Sequence, residues 1–183
     1  MKPALLAWRH PRPEGAAGRC IGARTDLPVH WRRAKRLARR IQATARRERL
    51  PHVVWTSPLR RCAEVGEWLR RWGWRHHVDA TLRELDFGHW DGRPWDDIAA
   101  AEIDAWVEDF AAHAPGGGES LRDLLRRAAA FHAPAGAMLV SHGGWMLARR
   151  WLDEHGAGVE PVRASEWPAA PAYARCWRFG SHS

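Results

Sequence analysis

Short apolar runs alternate along the chain with longer segments in which apolar residues recur every three or four positions. The runs led by Leu5, Pro51, His76, Ala137 and Tyr173 have strand length. Between them, helical spacing appears at Ala34, Leu37, Ala38, Ile41 and Ala45, at Cys62, Val65, Leu69 and Trp72, and at Leu121, Leu124, Leu125 and Ala128. These patterns predict strands near Leu5–Arg9, 51–57, 76–80, 137–141 and 173–179. Helices are predicted near 29–49, from Ser57-Pro58 to Trp72, across 94–113, from Ser120, and over Trp145–His155. Asp26 or Pro28 introduces the first helix, and Ser57 with Pro58 makes an N-cap and first turn for the second. Alternation of strand and helix argues for a mainly parallel sheet covered on both faces, a three-layer α/β/α sandwich. Residues 86–118 contain no strand pattern and are expected to form a short helical cap over the sheet edge. The whole of residues 1–183 is expected to be one domain, of a length that supports a full core.

Two strands end in the same way. Leu5-Leu6-Ala7-Trp8 runs into Arg9-His10 and is stopped by Pro11. Met138-Leu139-Val140-Ser141 runs into His142 and is stopped by Gly143-Gly144. Open α/β sheets place their ligands at the carboxyl ends of strands. If these two strands are parallel neighbours, His10 and His142 face each other across one crevice, one as nucleophile and the other as a cationic wall. The helix after Ser57 and the loop around Arg83-Glu84 are expected at the same edge. That inventory is arginine, histidine and one glutamate, with no carboxylate cluster suited to magnesium. Arginine forks match phosphoryl oxygens, neutral imidazole attacks phosphorus, and Arg9 and Arg61 are expected to keep His10 neutral. Glu84, flanked by Leu82, Leu85 and Phe87, is placed to be desolvated and to pass a proton to a departing oxygen.

Composition changes this picture little. The 183 residues carry 29 basic and 21 acidic side chains, a formal charge of +8, and of the basic residues only Lys2 and Lys35 are lysine. The excess suits an anionic partner, but the basic residues are neither gathered in a tail nor interleaved with aromatics, so nucleic acid is not expected. The arginine face of the first long helix reads as a solvated surface. Thirteen tryptophans are expected mostly in the core. Cys20, Cys62 and Cys176 lack metal-ligand spacing and read as free thiols of a reducing compartment. With no signal-peptide pattern and no stretch of transmembrane length, the expectation is a soluble, cytoplasmic protein without a cofactor or bound metal.

Five segments, in order, resemble the histidine phosphatase (phosphoglycerate mutase-like) superfamily. They are Arg9-His10, Ser57-Pro58-Leu59-Arg60-Arg61-Cys62, Leu82-Arg83-Glu84-Leu85-Asp86-Phe87-Gly88-His89-Trp90-Asp91-Gly92, Gly117-Gly118-Glu119-Ser120-Leu121 and Val140-Ser141-His142-Gly143-Gly144. The start Arg9-His10-Pro11-Arg12-Pro13, with Cys20-Ile21-Gly22 and Asp26-Leu27-Pro28 after it, is most similar to the α-ribazole phosphatases of cobalamin nucleotide-loop assembly. The resemblance implies a phosphoglycerate mutase-like fold and hydrolysis of a small phosphomonoester. It makes His10 the phosphorylated nucleophile, Glu84 the proton donor, Arg9, Arg61 and His142 the phosphate ligands, and Gly22 a point where backbone approaches substrate. In the Ser-x-Leu-x-Arg pattern the matching arginine is Arg61 rather than Arg60. Glu119 matches a family glutamate and equally suits a first helical turn. The chain departs from the usual motif in carrying Pro11 where glycine is common, and in having no asparagine across Arg12 to Gly18. A mutase of the same fold and a non-catalytic protein binding polyanions or nucleic acid are the alternatives, together with a broad small-molecule phosphatase. The short cap argues against the first and Glu84 against the second, while oligomeric state is not legible.

Overall fold

The computed structural model describes residues 5–132, 134 and 136–180. Five strands, β1 (Leu5–Arg9), β2 (Val53–Thr56), β3 (Arg75–Val78), β4 (Met138–Ser141) and β5 (Cys176–Phe179), form one sheet in the order β3-β2-β4-β1-β5. The first four run parallel and β5 pairs antiparallel with β1, at one edge. Helices α1 (Trp31–Glu48), α2 (Arg60–Arg71), α3 (Ala100–Glu108), α4 (Leu121–Ala130) and α5 (Gly143–His155) complete the chain.

Alternation along β1 divides the core. Leu5 and Ala7 face α4 and α5, where Leu124, Leu125, Leu139, Trp145 and Trp151 are buried with them. Leu6 and Trp8 face α1 and α2, with Ala34, Leu37, Ile41, Val65 and Leu69. A strand covered on both faces needs apolar residues on both, which is why Leu5–Trp8 is apolar without interruption. The predicted three-layer sandwich is the one observed.

Where elements begin differs from expectation in ways that matter at the site. The helix α2 starts at Arg60, not at Ser57; the Ser57 hydroxyl accepts from the Leu59 N–H at 3.3 Å and from His142 Nε2 at 2.8 Å. Its N-cap, Leu59, has no side-chain cap bond, and Asp26 Oδ1 accepts from the Arg60 N–H at 2.6 Å from a distant loop. Neither Asp26 nor Pro28 caps α1; the ring of His30 does, accepting from the Arg32 N–H at 3.3 Å. α5 begins at Gly143, two residues earlier than its apolar spacing suggests.

The expected helix across 94–113 is shorter: a single 3₁₀ turn at Trp95–Asp97 precedes α3. No residue of α3 is buried, whereas Ile98 and Phe110, just outside its two ends, are. The chain leaves helical geometry to bury those anchors. The last strand is also shorter than predicted, which leaves Tyr173 in an irregular segment ahead of β5.

Leu124, 1% exposed between α4 and α5, gives a direct test of this packing. Leu124→Ala is expected to cost about 2–5 kcal/mol, read as a lower urea midpoint with unchanged slope.

Candidate active site

The β1–β4 register fixes the site. Arg9 pairs with Ser141, and the next residues on the two strands are His10 and His142. The His10 N–H still donates to the Ser141 carbonyl at 3.0 Å, so the ladder runs one step past the strands. The two imidazoles lie 5.1 Å apart between ring centroids, edge to face. Both are buried, His10 at 4% exposure and His142 at 0%.

Hydrogen bonds set the tautomer of each ring. His10 Nδ1 is 2.7 Å from the Pro11 carbonyl, which can only accept. Nδ1 therefore carries the proton, and the lone pair of the neutral ring sits on Nε2. Proline loses its own N–H but keeps the carbonyl this contact needs. At His142 the order is reversed. Arg61 Nε donates to Nδ1 at 3.2 Å, so Nε2 bears the proton and donates to Ser57 Oγ at 2.8 Å. Cys62 Sγ lies 3.4 Å from the same nitrogen.

Both imidazoles are held well below the usual histidine range. For His10 burial is the largest cause, followed by the charge of Arg61 and, more weakly, Arg9, against an opposing pull from the Pro11 carbonyl. Sequence reasoning named the arginines and missed the burial. For His142 burial again leads, then Arg61, His10, Arg127 and Arg9. The expected cationic wall is thus a neutral ring.

Arg61 is 1% exposed. Beyond His142 it donates from Nη1 to the Thr25 carbonyl and from Nη2 to the Gly22 carbonyl, each at 2.8 Å. Three of its five N–H groups are used, which leaves two. Arg60 points outward and pairs with Glu64, so the structure separates the two arginines.

Arg9 donates from Nη1 to the Pro171 carbonyl at 2.7 Å, and its guanidinium lies 4.0 Å over the Tyr173 ring. Its Nε is buried without a hydrogen-bond partner. A buried donor left open in this way is what an anionic ligand would satisfy.

Glu84 reaches the site from the loop after β3 and is 9% exposed. Its Oε1 accepts from the Leu85 N–H at 2.9 Å, and its Oε2 from the Gly144 N–H at 3.1 Å, in the first turn of α5. A Cβ on residue 144 would overlap this carboxylate and push it from its place. Gly22 is likewise a close-packing position: a Cβ would stand 2.5 Å from the Leu85 carbonyl oxygen. Its N–H goes to Asp91 Oδ1 at 3.0 Å and its carbonyl to Arg61. Both its backbone groups are committed to holding the site together.

Several neighbours escaped sequence reasoning. Tyr173 has its ring centroid 5.5 Å from that of His10, and Pro171 holds Arg9. Glu119 lies outside α4, whose N-cap is Ser120, and pairs with Arg127. Of these neighbours Glu119 is the one the family resemblance already marks, and Tyr173 is the single tyrosine of the chain. Among the described residues no group of three or more histidine, cysteine, aspartate or glutamate side chains could hold a metal ion. No helix of the described residues is long and apolar enough to cross a membrane.

Strand-terminal histidines beside the buried Arg61 and the half-buried Arg9 suit phosphoryl transfer, and comparison with known proteins agrees. The model of the histidine phosphatase superfamily (branch 1) matches residues 5–163, and the chain belongs to that family. It is an enzyme acting as a phosphatase, which removes the non-catalytic alternative. A mycobacterial glucosyl-3-phosphoglycerate phosphatase is 26% identical, with 96% of this chain and 89% of that chain covered at a TM-score of 0.72. A protein of Thermus thermophilus, TTHB049, is 27% identical over 87% of this chain and 89% of that chain, with a TM-score of 0.63. Bacillus stearothermophilus YhfR, 21% identical with 95% and 89% covered at a TM-score of 0.74, shares the fold. No curated protein matches the chain by sequence.

The buried rings predict a pH response. Because His10 and His142 titrate well below their unfolded value of about 6.5, the unfolded chain binds more protons on the acid side of that value. Their contribution to stability is present above pH 6.5 and is lost as pH falls through the window below it. Unfolding free energies from urea titrations are expected to drop between pH 7 and pH 5.5, by at most about 1.4 kcal/mol per pH unit per histidine. His142→Gln should flatten that slope.

Proposed function

We propose that this phosphatase hydrolyses small phosphomonoesters through a phosphohistidine on His10, with α-ribazole 5′-phosphate as its substrate. The observation that carries the reading is the His10 tautomer. The Pro11 carbonyl accepts the hydrogen bond of Nδ1–H, which leaves the Nε2 lone pair free on a buried ring beside His142, with Arg61 and Arg9 near enough to act on it.

In the first step the Nε2 lone pair attacks phosphorus and the ester P–O bond breaks. The departing oxygen takes a proton from the Glu84 carboxyl group. In the second step water attacks the phosphohistidine, its proton passes to the Glu84 carboxylate, and the P–N bond breaks to restore His10. Arg61 supplies its two unused N–H groups and Arg9 its open Nε to the phosphoryl oxygens. His142 accepts from Arg61 Nε at Nδ1 and donates from Nε2 to Ser57 Oγ, so its part is to orient the Arg61 guanidinium. Gly22 contributes by holding Arg61. This charge stabilisation comes from fixed organic cations, and no step calls on a metal ion.

Hydrolysis rather than mutase chemistry is supported by the cap, whose longest helix has nine residues. A mutase must shield its phosphoenzyme from water while the substrate turns. The α-ribazole assignment is supported by the segments Arg9-His10-Pro11-Arg12-Pro13 and Asp26-Leu27-Pro28. Glucosyl-3-phosphoglycerate, for which a relative 26% identical is named, is the competing substrate.

Two experiments test this. His10→Ala should abolish turnover with the fold intact, and rapid quenching of the wild type should trap acid-labile phosphate on His10. Label on Ser57 or Cys20 would refute the assignment. A screen of monoesters in the presence of a chelator should rank α-ribazole 5′-phosphate first by kcat/KM. A higher value for glucosyl-3-phosphoglycerate would move the substrate to that class, and loss of activity restored by a divalent ion would remove the metal-free mechanism.

A further inference from the structure

Residues 81–86, which carry Glu84, form no helix or strand beyond the 3₁₀ turn Ala80–Leu82. Every carbonyl of this run is nevertheless taken. Thr81 O and Arg83 O each accept from Arg127 Nη1 at 2.8 Å, and Glu84 O accepts from Arg127 Nη2 at 3.3 Å. Leu82 O accepts from Ser141 Oγ at 2.8 Å, Leu85 O from the Ala23 N–H at 3.0 Å, and Asp86 O from the Glu119 N–H at 2.7 Å. Three of the six belong to one guanidinium.

That guanidinium is fixed in turn. Glu119 grips it with both oxygens, Oε1 to Nε at 2.9 Å and Oε2 to Nη2 at 2.7 Å. Both side chains are about four-fifths buried, at 20% and 18% exposure. Glu119 Oε2 also accepts from the Asp86 N–H at 3.4 Å. A bidentate arginine–carboxylate pair has one geometry, so it transmits that geometry to the backbone it holds. Arg127 stands near the end of α4, which is packed on α5, and α5 supplies the Gly144 N–H that meets the Glu84 carboxylate.

We propose that Arg127, locked by Glu119, is the positioning residue for the proton donor of this site. It sets the backbone of residues 81–84 so that the Glu84 carboxyl group reaches the departing oxygen. This rests on the reading of Glu84 as proton donor given above. A plain loop staple would predict loss of stability alone, or equal slowing of all substrates. A positioning residue predicts slowing that depends on how much protonation the leaving group needs.

The test compares an alkyl phosphate, glycerol 3-phosphate, with an activated aryl ester, para-nitrophenyl phosphate, in Glu84→Gln, Arg127→Met, Arg127→Lys and Glu119→Gln. Arg127→Met is expected to lower kcat for the alkyl ester about 100-fold, the scale of a small misplacement of a catalytic group. The aryl ester should change no more than about threefold, since an aryl oxide needs little protonation. Arg127→Lys, which cannot span three carbonyls and Glu119 together, should fall between wild type and Arg127→Met. Adding Arg127→Met to Glu84→Gln should slow the alkyl ester no further. Circular dichroism and thermal midpoints identify variants that fold. Should Arg127→Met not fold, Glu119→Gln and Arg127→Lys decide by the same comparison. Selective loss in Glu84→Gln with equal or no loss in the folded clamp variants overturns the positioning role alone. No selective loss in Glu84→Gln overturns the proton-donor reading and the proposal with it.

Discussion

Taking a guanidinium out of water costs several kcal/mol unless its donors and its charge are met within the protein. Arg61 meets the first demand with the Thr25 and Gly22 carbonyls and His142 Nδ1, and it has no carboxylate ion pair among the described residues. Much of the molecule follows from that imbalance. Two carbonyls from the irregular stretch before α1 must point at one atom group on α2. Gly22 must therefore pack against Leu85 and Phe87 at the edge of the cap. Burial first, and then the charge that remains unmet, hold both imidazoles well below the usual histidine range. Two neutral imidazoles and two unused guanidinium N–H groups thus stand together in one buried place.

The parallel pairing of β1 with β4 gives that cation its setting. A one-residue slip of register would turn alternate side chains to the opposite face of the sheet. It would also part the two histidines, whose 5.1 Å separation depends on each standing one step beyond its strand. Strand faces packed by Leu6 and Trp8 on one side and Leu5 and Ala7 on the other leave no freedom for such a slip. Core packing and site geometry are in this sense the same constraint.

The amino-acid pattern made legible what is local. An apolar run stopped by proline or glycine marks a strand end, which is enough to place Arg9, His10 and His142 at one sheet edge. Helical spacing marked α1, α2 and α4 closely. Contacts made by side chains with distant backbone leave no such mark. Arg127 holds carbonyls 43 to 46 residues away, and a carbonyl belongs to every residue type. Ser57 has the residue type of a helix cap and a proline after it, yet its hydroxyl meets His142, 85 residues on. The segment near Trp95 misled for a related reason: burying Ile98 and Phe110 outweighed continuing the helix.

The stretch from Pro171 to Arg175 lies beyond residue 163, where the family model ends. It nonetheless forms a wall of the site. Pro171 and Tyr173 hold Arg9, the Ala174 N–H meets the carbonyls of Arg9 and His10, and Ala174 adopts a left-handed φ of 60° to do so. The strand-end histidines and this wall thus come from separate pieces of chain. Divergence in the tail can reshape what enters the crevice while the strand-end histidines stay untouched, a route by which one ancestral hydrolase could give rise to descendants with different diets.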